Sequence, residues 1–116
     1  MLALIAYLRD RQIPLEVCPT SNIRLGVYAD MSSHPFPRLY RAGIPISVNS
    51  DDPPLFSTTL NHEVALLFNA FNFDVNTANN ILLNGVRHSF LPREEKQAME
   101  AAFQQEMAQL QHELAL

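Results

Sequence analysis

Two adjacent carboxylates, Asp51 and Asp52, follow directly on the apolar stretch Ile44-Pro45-Ile46-Ser47-Val48-Asn49 and precede Pro53-Pro54. Neighbouring carboxylates repel. If both serve one site, a metal ion, a basic partner or a shared proton must compensate them. The same residues equally suit a plain turn or a helix cap ahead of a proline. The other candidates carry less. His34, His62, His88 and His112 form no H-x-H pair. His62-Glu63 begins like a zinc-binding H-E-x-x-H helix, but position 66 is Leu66, so that motif is absent. Each histidine reads as a surface or helix-end residue. Cys18 has no base near it in sequence and reads as a buried structural thiol rather than a nucleophile. Gly26, Gly43 and Gly85 are too widely spaced to cradle phosphate.

The elements that must position Asp51 and Asp52 follow from periodicity. Leu2, Ile5, Ala6 and Leu8 mark the face of a surface helix that ends near Arg11, ahead of Pro14. Leu15 to Cys18 reads as a short strand. Thr20 to Pro37 has few periodic apolar positions and reads as a long loop with at most one helical turn. Phe36 to Ala42 is a short helix stopped by Gly43. Ile44 to Asn49 is the second strand, and Ser50 to Pro54 breaks it. The acidic pair therefore sits at a βα junction, the place where ligands bind in α/β sheets.

Three helices follow. Leu60, Val64, Leu67, Phe68 and Phe71 share one face, with Thr59 or Asn61 as cap. Ala78, Ile81, Leu82 and Val86 make the next, with Asn76 or Thr77 as cap. The third opens at Pro92 with Glu94 and Glu95. It is expected to bury a stripe of Met99, Phe103, Met107, Leu110 and Leu114.

Composition bounds the rest. At 116 residues the chain is well short of the ~250 of a complete (β/α)8 barrel. Hydrophobic residues make up 47%, enough for a core, so global disorder is excluded. A net charge of −4 argues against a nucleic-acid partner. The longest apolar run, Leu2 to Leu8, is far below the ~18 residues of a membrane span. With a single cysteine, no internal disulfide forms, and a cytoplasmic location is expected. Two parallel strands need neighbours and cover on both faces, so residues 1–116 read as part of a larger α/β domain. Such a piece is expected to self-associate through open strand edges and through apolar residues such as Val17, Ile46 and Val48.

Longer stretches carry a resemblance. Glu16-Val17-Cys18-Pro19-Thr20-Ser21-Asn22, His34-Pro35, and above all Val48-Asn49-Ser50-Asp51-Asp52-Pro53-Pro54 through Leu60, resemble the adenosine deaminase family in order and spacing. Asn84 and Ser89-Phe90-Leu91-Pro92 extend the resemblance to the C-terminal helices. It implies a (β/α)8 barrel of which residues 1–116 are the C-terminal portion, about the last two strands with their helices plus C-terminal helices. It implies one zinc ion and hydrolytic deamination of the purine nucleoside adenosine to inosine. Asp51 then matches the catalytic carboxylate that ligates zinc and orients water, and Asp52 the carboxylate that binds the purine at N7. Cys18 and Asn22 fall near the active-site rim without a catalytic role, and His34 takes none. The family's H-x-H pair, third metal histidine and glutamate proton shuttle lie on earlier strands and have no counterpart here. One ligand does not hold a catalytic zinc, so the chain alone is expected to be inactive and not to retain the metal. Phe56 to Leu60 looks more like adenosine-specific members, with adenine or another 6-aminopurine as the alternative. A truncated, non-catalytic fragment or interaction module is the reading from another class.

Overall fold

The computed structural model describes residues 1–116, a helix-rich α/β arrangement around a two-stranded parallel sheet. Helix α1 (Leu2–Asp10) leads in. Gln12 then turns the chain with φ +51. Its side-chain amide donates to the Arg9 carbonyl at 2.7 Å and the Gly43 carbonyl at 3.0 Å, tying the two turns that enter the sheet to each other. Strand β1 (Leu15–Val17) pairs with β2 (Ile46–Val48) in the register Leu15 to Ile46, Glu16 to Ser47 and Val17 to Val48.

The crossover between them is more ordered than its sequence suggests. It holds α2 (Pro19–Arg24), a 3-10 turn at Met31–Ser33 and α3 (Phe36–Arg41). Gly43, at φ +88, adopts the left-handed conformation that ends α3. After β2 come α4 (Pro53–Phe56), α5 (Leu60–Asn69), α6 (Val75–Arg87) and α7 (Arg93–Glu113). Thr59 caps α5 by accepting from the His62 amide at 3.1 Å. The α6 cap is Asp74, accepting from the Thr77 amide at 2.8 Å, and not Asn76 or Thr77. Three residues separate cap oxygen from bonded amide in both cases. Asp74 therefore fits this spacing where its neighbours do not. No helix is long and apolar enough to cross a membrane.

The core lies between the sheet and the helices: Phe36, Ile46, Val48, Leu67, Phe71, Ala78 and Ile81. This corrects one expectation. Ile46 and Val48 are buried rather than exposed, because alternate residues of β2 face the helical layer, and α3, α5 and α6 cover that face. Val17 is half-buried beside them. Asn84 of α6 donates to the Ile46 carbonyl at 3.0 Å and pins the helix to the strand. The second correction is α7. None of its residues is buried, and Met99, Phe103, Leu110 and Leu114 stand exposed. The helix touches the body along one polar line, where Arg87 meets Glu100 at 2.7 Å and Asn79 meets Gln111 at 3.2 Å. Its apolar stripe, with Met107 half-buried and the rest exposed, contributes nothing to the core cluster.

Candidate functional site

Both strands point their carboxyl ends at one region, where the α2 entry and the turn before α4 meet. The strand ends are locked together by Asn49. Its backbone amide donates to the Val17 carbonyl at 2.8 Å, and its side chain donates to the Ser47 hydroxyl at 3.1 Å. Immediately beyond, Asp51 takes φ +57, a left-handed conformation that aspartate tolerates better than most residues. This turn leaves Asp51 exposed. One of its oxygens, Oδ2, accepts from the hydroxyl of Ser21 at 2.7 Å, and Oδ1 has no hydrogen-bond partner in the chain. Ser21 itself is 1% exposed. Thus a buried hydroxyl on α2 orients an accessible carboxylate on the neighbouring turn.

Asp52, also exposed, acts locally as the cap of α4, with Oδ1 accepting from the Leu55 amide at 3.2 Å. The helix-cap reading is therefore true of Asp52 at the level of local structure. The cap engages one oxygen and sets the direction of the other. The two carboxylates are neighbours in sequence but are held by different partners, one by α2 and one by α4.

Glu63 escaped the sequence reading, where it figured only in a failed metal motif. It is fully buried at the start of α5. Its Oε1 accepts from the Thr20 amide at 3.0 Å and its Oε2 from the Thr20 hydroxyl at 2.7 Å. The signal available was an acidic residue one helical turn before Leu67, on the apolar face of α5, a position that demands a partner. That partner, 43 residues away, is not legible locally.

His34 is a correction. It is buried rather than a surface residue. Its Nδ1 accepts from the Phe36 amide at 3.1 Å, so its Nε2–H donates to Asn22 Oδ1 at 2.9 Å. Burial lowers its pKa below the ordinary histidine value. A second proton would face the Phe36 amide donor. Because the folded pKa lies below the unfolded one, the unfolded chain binds more protons in the window between them. The stability that neutral His34 contributes is complete above about pH 6.5 and is lost as pH falls below it. The thermal midpoint is expected to drop on acidification through this window, and His34→Gln is expected to flatten that drop. An equal drop in the variant would show that other groups cause it.

Cys18 is half-buried rather than fully buried. Burial first, then the charge of Asp51, raises its thiol pKa, which keeps it protonated and a poor nucleophile. His62 and His112 are exposed and His88 caps α6, as their sequence contexts indicate. A cavity of about 480 Å³ lies at the opposite end of the strands among Gln12, Tyr40, Arg41, Pro45 and Arg87, away from Asp51. No three His, Cys, Asp or Glu side chains gather closely enough to hold a metal ion. Asp51 fits a share of such a site: an accessible carboxylate, braced on one oxygen and open on the other.

A family model described as adenosine deaminase matches residues 2–105. An aminodeoxyfutalosine deaminase from Streptomyces coelicolor is 46% identical over 88 residues, covering 76% of this chain and 23% of that protein. An adenine deaminase from Rhizobium meliloti is 37% identical over 99 residues, covering 85% of this chain and 31% of that protein. The solved structure of an amidohydrolase from Burkholderia ambifaria with bound Zn matches with a TM-score of 0.86 at 28% identity, covering 97% of this chain and 32% of that one. The chain thus spans between 23% and 32% of the length of these proteins.

Proposed function

The chain belongs to the adenosine deaminase family, and from that premise we propose that residues 1–116 are the last two βα units, with C-terminal helices, of a zinc-dependent (β/α)8 deaminase. The reaction is hydrolytic removal of the 6-amino group from a purine. The observation that carries this reading is Asp51: an exposed carboxylate at the carboxyl end of β2, braced by the buried Ser21 hydroxyl. Its free Oδ1 is the oxygen offered to zinc. A catalytic zinc takes three protein ligands and keeps one position open, so the remaining ligands come from other strands of the barrel. Zinc, when bound, supplies an activated water near neutral pH. Asp51 holds one side of that site and balances its charge. Asp52, directed by its cap on α4, meets the purine at N7 and shares a proton with it.

Two readings of the substrate have equal support. The stretch Phe56 to Leu60 resembles adenosine-specific members. The similarity to an adenine deaminase and an aminodeoxyfutalosine deaminase favours a second reading, with one of those substrates in place of adenosine. The test is ammonia release by the zinc-loaded complete barrel, residues 1–116 joined to the preceding strands, offered adenosine, adenine and aminodeoxyfutalosine in turn. Turnover of adenosine at least tenfold faster than the others is expected on the first reading, roughly 1.4 kcal/mol of discrimination. Faster turnover of another of the three selects the second reading. Release from none of them removes the deaminase reading.

A further inference from the structure

The buried carboxylate of Glu63 has no cationic partner; the chain's two ion pairs are Arg9–Asp10 and Arg87–Glu100. Burying an anion is costly unless hydrogen bonds offset it. Both of its bonds come from Thr20, in the first turn of α2. That turn lacks a local cap, since Cys18 stands at the N-cap position and makes no side-chain bond to it. Glu63 therefore caps α2 from another helix. Two bonds to one residue fix the rotation of α2 as well as its position. Ser21 is the next residue along, about 100° round the helix, so its hydroxyl direction follows from that rotation. The hydroxyl is the group that braces Asp51. Asp51 needs the brace, because it sits exposed in a left-handed turn that does not fix its side chain.

We infer that Glu63 is a positioning residue for the metal site, acting through Thr20 and Ser21 to set the orientation of Asp51. The inference rests on Asp51 being a zinc ligand, as proposed above. Outer partners of metal ligands commonly govern affinity in this way.

The readout is the zinc affinity of the metal-free complete barrel, measured by competition with a chelator. Ser21→Ala is expected to weaken zinc about 10–100-fold and Glu63→Ala about tenfold. Glu63→Gln is expected to recover most of the loss, because its amide oxygen accepts from the Thr20 amide while its NH2 donates to the Thr20 hydroxyl. In a Ser21→Ala background, Glu63→Ala should change affinity by less than roughly twofold, the ordinary error of additivity. If Glu63→Ala does not fold, Thr20→Val keeps the amide bond and removes only the hydroxyl. It should weaken zinc in the same direction, again only when Ser21 is present. A lowered melting temperature with unchanged zinc affinity, or an undiminished effect in the Ser21→Ala background, overturns the inference while Asp51 stands. Unchanged zinc affinity in Asp51→Ala overturns the ligand assignment itself, and the inference with it.

Discussion

Asp51→Ala and Asp52→Ala are expected to fail in different ways in the complete barrel. On the proposed assignment Asp51→Ala takes away a direct metal ligand, so it should weaken zinc by more than the roughly 10–100-fold that loss of an outer partner costs, and activity should fall with it. Asp52→Ala should leave zinc bound and lower deamination of adenosine at least ~100-fold, about 2.7 kcal/mol for one charged contact that strengthens at the transition state. Because Asp52 caps α4, the alanine variant also disturbs a helix start. Asp52→Ser separates the effects: serine still caps, and it removes the carboxyl proposed to meet the purine. Both Asp52 variants should lose little further rate with the 7-deaza analogue, which lacks N7 from the outset. The measurements are zinc content and deamination rate on both substrates. Loss of zinc from Asp52→Ser, or equal penalties on the two substrates, would show that the residue does not contact N7.

The acidic turn was legible because its signal is local. An apolar strand, then Asp51-Asp52, then Pro53 fixes a βα junction by residue type alone. The structure puts both side chains at that junction. The parts that position them were not legible, because each depends on a pairing distant in sequence. Ser21 meets Asp51 across 30 residues, and Thr20 meets Glu63 across 43. Residues 20–37 lack the apolar periodicity that marks a helix, and the cap from Glu63 that holds α2 lies outside that stretch, so its sequence pointed to no more than a helical turn in a loop. His34 looked like a loop histidine for the same reason. Its partners, Asn22 and the aromatic rings of Tyr28 and Phe71, come from three segments.

The apolar patterns told which residues form a face, and not what covers it. In β2 the alternation correctly separates Ile46 and Val48 from Ser47, but periodicity assigns no side, and the helical layer took the face expected to lie open. In α7 the stripe from Met99 to Leu114 has the spacing of a buried face, yet Met107 alone of it is even half-buried and the other four residues are exposed. Helical spacing implies burial only where another element lies within reach. The body of residues 1–116 supplies α7 with one polar seam.

That contrast sets the second large effect. Phe36→Ala is expected to abolish the cooperative melt of the 116-residue chain. Phe36 is completely buried and stacks on Phe71 with ring centroids 5.1 Å apart, with Phe73 at 6.1 Å. Removing such a ring from a packed core costs about 3–5 kcal/mol. Domains in general have only about 5–15 kcal/mol of net stability. With 21 of 116 residues buried, this chain belongs at the low end of that range. The damage should reach the site as well. The Phe36 amide orients His34, and His34 holds Asn22 on α2, the helix that carries Ser21. Phe103→Ala is the matched control: the same deletion, at a side chain 42% exposed on α7, should change stability by no more than about 0.5 kcal/mol. Thermal unfolding followed by circular dichroism compares the two. Equal losses would mean that the α7 stripe is covered in solution, by a second copy or by further chain. A sharp melt retained in Phe36→Ala would mean that the aromatic cluster is not what holds α3 and α5 to the sheet.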